Sequence, residues 1–200
     1  MSSPHDRSLV QLQDVAASFQ GVQATITPQN SSTQFGIMSI HNLERLNFES
    51  FLEPIPVDPK MERLQLEWDD VVVSLRNQPM RASVWRSCYG PMIPGSTLAV
   101  LRLNKKAKKF LLPAYLACLL KSDITSDDLS SKYRKTTAGM YIKLSDLREY
   151  EILIPSIEQQ EAVIDAFYAT ELFKIEAIKL VDVRERIVQS TLKQLLRENR

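Results

Sequence analysis

Arg76-Asn77-Gln78-Pro79-Met80-Arg81 sets two guanidinium forks and two carboxamides within six positions. Arginine can give two donors to the O6/N7 edge of guanine, and Asn or Gln can pair a donor and an acceptor with adenine. The chemistry on offer is therefore hydrogen-bond readout of base edges, with a polar hairpin tip as the alternative. Lys132-Tyr133-Arg134-Lys135-Thr136-Thr137 mixes cations with hydroxyls, which suits phosphates and bases together; the alternative is a mobile loop. Lys105, Lys106, Lys108 and Lys109 form a purely cationic run, of the kind that meets phosphate and fixes position without reading sequence, or else lies in a solvated loop. Tyr141 and Lys143 complete the candidates, and strand alternation can turn one of them inward. Gln29, Asn30 and Ser32 read only as polar loop.

The parts of an enzyme are missing from the same reading. The two histidines, His5 and His41, sit in no nucleophile pattern, and the five glycines form no phosphate-cradling loop. Cys88 and Cys118 have no metal-ligand spacing and read as reduced, buried thiols. The acid pairs Asp69-Asp70 and Asp127-Asp128 are adjacent, where turns and caps explain them better than acid–base work. No catalytic residue, metal or cofactor is expected in this chain.

Net charge is +1, but the charge is unevenly placed. Residues 1–60 carry net −3, residues 61–143 net +7 and residues 144–200 net −3. A positive middle between negative ends points to a localised anionic partner, of which a phosphate backbone is the commonest. Hydrophobic residues, at 44%, suffice for a real core. The longest apolar stretch, Leu111 to Leu120, is about half a membrane span, and the first seven residues have no signal-peptide core. The expectation is a soluble cytoplasmic protein.

The elements that must position these residues form an α+β pattern. Leu9 to Val15 reads as a short strand entering a helical turn, Gly21 as a break, and Gln29 to Gln34 as a surface loop. Phe35 to Ile40 is strand-like, and Asp58-Pro59 can start a helical turn. Trp68-Asp69-Asp70 should turn into a buried strand at Val71 to Leu75, with Ala82 to Trp85 as its hairpin partner. Thr97 to Leu103 is a further strand, Pro113 to Leu120 an apolar helix, Ser145 to Leu147 a short turn and Glu151 to Ile154 a last strand. Residues 1–155 are thus expected to form a mixed-sheet domain, and residues 156–200 one long helix.

That helix opens at Ser156, a good N-cap, with Gln159 at the capping-box position, and meets no Gly or Pro afterwards. Ile164, Tyr168, Leu172, Ile175, Ile178, Val181, Val188, Leu192 and Leu195 recur mostly at spacings of three and four. The stripe is expected to pack on another helix in coiled-coil fashion, although the register slips around Asp182 to Arg186. The alternative is a terminal helix folded back on its own domain.

Five fragments in order carry a resemblance. They are Leu12-Gln13-Asp14-Val15 before Gly21; Asp69 to Arg76; Tyr115 to Ser122; Ile142 to Leu147; and Ile152-Leu153-Ile154-Pro155-Ser156-Ile157-Glu158-Gln159-Gln160. Together the chain resembles the specificity subunits of type I restriction–modification systems over nearly its whole length. Asp69 stands where that family's "Gly-Asp-hydrophobic-Ser" strand has Gly, so its turn is expected to tolerate a Cβ. Family members usually carry two recognition domains and two conserved helices, so this chain looks like a half-length form. The resemblance implies a non-catalytic subunit that binds double-stranded DNA at a bipartite target. It implies either a homodimer or pairing with a second specificity chain, and a DNA methylation subunit that uses S-adenosylmethionine to modify adenine. A restriction/translocase subunit can join. The competing reading is an adaptor or inhibitor that docks on a methylase through its helix without reading DNA.

Overall fold

A β-branched run favours the middle of a sheet, and the run at Val71 lies there. The computed structural model describes residues 9–23, 34–44, 52–86, 90–137 and 139–198. In chain order, β1 (Leu9–Gln11), α1 (Leu12–Val15), β2 (Ala16–Gln20), β3 (Gln34–Met38) and β4 (Ile55–Pro56) come first. β5 (Val71–Ser74), β6 (Ala82–Val84), β7 (Met92–Pro94), β8 (Leu98–Leu103), α2 (Pro113–Leu120) and α3 (Asp123–Asp128) follow. The chain continues through β9 (Arg134–Thr136), β10 (Gly139–Tyr141), α4 (Leu144–Arg148), β11 (Glu151–Leu153) and α5 (Ile157–Glu198).

Four antiparallel strands form the main sheet in the order β2-β8-β5-β6. Every residue of β5 is buried. A strand covered on both faces reads as an unbroken apolar run, which is why Val71 to Leu75 shows no alternation. Val72, Leu98 and Val100 face a core built with Met38, Leu43, Leu66, Trp85 and Met92. α2 packs on β5 and β6 and is buried at seven of its eight positions. Cys118 within it is buried and not part of a disulfide among the described residues, whereas Cys88 lies outside those residues.

β3 forms a second, mixed sheet, antiparallel to β4 and parallel to β7. A Cβ on Gly21 would lie 2.2 Å from the Pro94 carbonyl oxygen, so the expected break is a close backbone approach. β1 pairs with β11, and Leu12 N donates to Tyr150 O, joining the two ends of the domain. The Asp69-Asp70 pair is divided in role. Asp69 adopts φ 70°, so the left-handed turn is kept in the absence of Gly, and its carboxylate accepts from Arg86 Nε at 2.8 Å. Asp70 is buried and accepts two 2.8 Å hydrogen bonds from Arg102, which also pairs with Glu67. Those Asp70 bonds raise the Arg102 pKa against the opposing effect of burial.

Several elements differ from the sequence reading. The Lys132-to-Thr137 stretch contributes strand β9 of a hairpin rather than a loop, and the Asp127-Asp128 pair ends α3 rather than a bare turn. β7 was not expected, because Met92-Ile93-Pro94 is too short to carry a period. Gln34 opens β3 instead of closing a loop, and Ile40 begins a 3-10 turn. Gln29, Asn30 and Ser32 lie outside the described residues.

Two units are compact in themselves, Met1–Ile164 and Asp165–Arg200. α5 starts within the first. Ser156 N donates to Gln159 Oε1 at 3.3 Å and Gln159 N donates to Ser156 Oγ at 3.4 Å, which is the expected capping box. Gln160 is fully buried: its Oε1 accepts from Leu112 N at 2.8 Å, and its Nε2 donates to Phe110 O at 2.8 Å and Pro155 O at 2.9 Å. The helix root is thereby tied to the strand-to-helix connection before α2. Among the described residues, none after Gln160 is buried. At 1.5 Å per residue the 42-residue helix is roughly 63 Å long.

Candidate nucleic-acid interface

The turn after β5 and the hairpin after α3 come together, although Arg76 and Lys132 lie 56 positions apart in the sequence. Arg76 bridges antiparallel to Tyr141, and Asn77 N donates to Met140 O at 3.0 Å. Ile142 N donates to Leu75 O at 2.9 Å, extending β5 alongside β10. β10 in turn pairs with β9, placing Tyr141 opposite Arg134. The result is one cross-strand row, Arg76–Tyr141–Arg134, in which directly opposed side chains stand about 5 Å apart at Cβ. Two exposed guanidiniums flank a half-buried phenol ring. Gly139, at φ 108°, makes the hairpin turn beside Asn77, and Thr136 Oγ1 closes it by donating to Gly139 O at 2.8 Å. Asn77 is itself left-handed at φ 66°.

Acids hold some of these cations. Arg134 Nη2 lies 3.5 Å from Asp146 Oδ2, and Arg81 Nη1 lies 3.8 Å from Glu44 Oε1. Arg76, Lys132, Lys135 and Lys143 are exposed and have no ion pair among the described residues. Thr137 is exposed as well, and Ile142 takes the inward position, which leaves Tyr141 and Lys143 on the outer side. An open groove of about 550 Å³ beside the hairpin is lined by Asp128, Asp146, Glu149 and Glu151 with only Lys132 as cation. That side is acidic and borders the cationic row.

Three candidate groups are placed differently from a simple contact list. Tyr133 is buried, burial raises its hydroxyl pKa, and its Oη has no hydrogen-bond partner, so it anchors β9 from beneath. Gln78 gives its Nε2 to Ser126 O at 2.8 Å and Ser126 Oγ at 3.0 Å, which ties the turn to α3. Lys105, Lys106, Lys108 and Lys109 follow the C-terminal end of β8, whereas Leu75 N meets Thr97 O at its N-terminal end. The length of β8, roughly 17 Å at 3.4 Å per residue, therefore separates them from the row. The sequence reading did not find the supporting acids Glu44 and Asp146; only the fold brings them to their arginines. Among the described residues no group of three His, Cys, Asp or Glu could hold a metal ion, and no helix is long and apolar enough to cross a membrane.

With this geometry in view, the solved structures can be compared. A chain from a structure described for complex assembly and conformational transition of the type I R-M system matches at TM-score 0.62 and 18% identity, over 98% of this chain and 45% of that one. The HsdS subunit from Thermoanaerobacter tengcongensis matches at TM-score 0.54 and 17% identity, over 90% of this chain and 40% of its own. The type I restriction–modification S subunit from M. genitalium matches at TM-score 0.53 and 13% identity, over 93% and 45% respectively. The chain has the fold of a type I S subunit. It spans less than half the length of these solved chains. No family model matches the sequence, and no curated protein does. The expected α+β architecture, a mixed-sheet domain followed by a long helix, is the one observed.

The expected helix-interface residues can be placed too. Ile164, Tyr168 and Ile175 are half-buried, while Leu172, Ile178, Val181, Val188, Leu192 and Leu195 are exposed. Phe173, Leu180, Val183 and Ile187 are exposed as well and were not in the expected stripe. Phe173, Leu180 and Ile187 recur at sevens, a second apolar line that a search for one seam passes over.

Proposed function

We propose that this chain is a non-catalytic DNA-specificity subunit that directs an adenine methyltransferase to a bipartite duplex target. The observation that carries this reading is the Arg76–Tyr141–Arg134 row, where strand pairing lines up two arginines, a residue type suited to reading base edges, on a fold shared with type I S subunits. The bare apolar lines of α5 fit association with other helices, through a second copy or a second specificity chain and a methylation subunit. A restriction/translocase subunit would join that assembly. S-adenosylmethionine would be bound by the methylation subunit, and the methyl-transfer chemistry would belong there.

Two-fold pairing of identical chains implies an inverted-repeat target with an unread spacer. Mapping methylated adenines in cells that hold the methylation subunit, with and without this chain, tests the reading. The expected result is a two-part motif at fixed spacing that appears only when the chain is present. Methylation that ignores the chain, or a motif unaltered by Arg76→Ala, would favour an adaptor that does not read DNA.

A further inference from the structure

We infer that Lys105, Lys106, Lys108 and Lys109 form a second DNA contact, a preformed and sequence-blind phosphate site at the opposite end of β8 from the reading row. The inference rests on the DNA-binding reading above and divides its labour between two places. All four lysines are exposed, and none has an ion-pair partner among the described residues. No acid occurs between Leu103 and Leu112 to offset them.

Their backbone is fixed, which a merely solvated loop does not require. Asn104 Oδ1 accepts from Ala107 N at 2.9 Å, Asn104 Nδ2 donates to Asp14 O at 3.0 Å, and Asn104 O accepts from Lys108 N at 3.1 Å. Ala107 is buried at the centre of the turn, and Leu111 N donates back to Ala107 O at 2.8 Å. Asn104 is thus a positioning residue: its side chain shapes the turn that presents the lysines. Gln160 holds the next residues through Leu112 N and Phe110 O.

The chemistry favours phosphate over an acidic protein surface. Lysine is depleted in protein–protein interfaces, whereas protein–DNA interfaces are much more positively charged. An ammonium ion is a point charge that suits a phosphate oxygen and does not distinguish bases. The roughly 17 Å length of β8 corresponds to about five base pairs at 3.4 Å each, a separation well within a short duplex.

The test is a salt titration of the full chain on a 30-base-pair duplex of mixed sequence. Each phosphate contact contributes about 0.9 to the slope of log affinity against log salt. Replacing all four lysines with Gln is expected to make the slope shallower by about 2 to 4, and the four-Arg variant is expected to restore it. Asn104→Ala, with the charges retained, should weaken binding less than the Gln variant does. A slope unchanged by the Gln substitutions, in protein whose circular dichroism and melting match the natural chain, would overturn the site and favour an acidic protein partner. Absence of salt-dependent duplex binding by the natural chain would instead remove the broader DNA-binding reading.

Discussion

At one end of β8 the cations lie in or beside paired strands, and two of them, Arg134 and Arg81, face acids; at the other, four lysines stand on a single turn with no ion pair among the described residues. Arg76, on an isolated bridge after β5, and Arg134, in β9, flank Tyr141 of β10 at the same register, and Asp146 lies against Arg134. Lys105, Lys106, Lys108 and Lys109 have no ion-pair partner among the described residues, yet Asn104 holds their turn with two side-chain hydrogen bonds. Base readout depends on placing a donor to within a fraction of an ångström, and strand pairing limits where an arginine can go. Phosphate contact depends chiefly on charge, so a stiff turn bearing mobile ammonium groups suffices. On the proposed reading, the contrast would separate specificity from affinity within one domain.

The largest effect should come from the ion pair that ties β5 to β8 near the lysine end. Asp70→Asn leaves Arg102 without its two carboxylate bonds, and a buried Asp is lost from the pair. Because Arg102 is partly exposed, the loss of stability should fall at the low end for such pairs, about 3 kcal/mol, read from a denaturant midpoint. An effect below about 1 kcal/mol would mean that solvent screens the pair almost entirely.

Arg76→Ala comes next and acts on the other end. It should reduce discrimination at one base position by about 1–3 kcal/mol while changing stability by less than about 0.5 kcal/mol. Competition between a selected duplex and its single-base variants measures this. A uniform loss across all duplexes would assign Arg76 to phosphate and erase the contrast between the two ends.

The smallest effects compare the two left-handed residues that bracket β5, Asp69 at φ 70° and Asn77 at φ 66°. Glycine at either position relieves backbone strain but adds unfolded-state entropy, so each change should alter stability by less than about 1 kcal/mol. Asn77→Gly should nevertheless weaken base discrimination, because Asn77 lies in the reading turn, while Asp69→Gly should leave it intact. Equal effects on discrimination would show that the two turns are not functionally distinct.

Much of the fold was legible because burial leaves a local signature. The run Val71-Val72-Val73 announced a covered strand, and Ser156 with Gln159 announced the start of α5. The interface was legible only in pieces. Arg76 and the stretch around Arg134 stood out by residue type, but their shared row depends on a bridge from Arg76 to Tyr141 across 64 intervening residues. Tyr133 looked like a contact because it sets a hydroxyl among cations, yet it is buried just before β9. The place of the lysine run was not legible, because sequence distance does not show which end of β8 a segment leaves from. Asp69 was expected to sit in a turn that tolerates a Cβ, and it occupies the left-handed region, which aspartate reaches at modest cost.

Selection of duplexes from a randomised pool by the purified full chain tests the central claim most directly. The expected result is enrichment of a defined motif, in which Arg76→Ala relaxes one position and the four-lysine Gln variant lowers affinity without changing the motif. A pool that stays random after repeated rounds, although the folded chain is present and binds duplex DNA, would contradict the account.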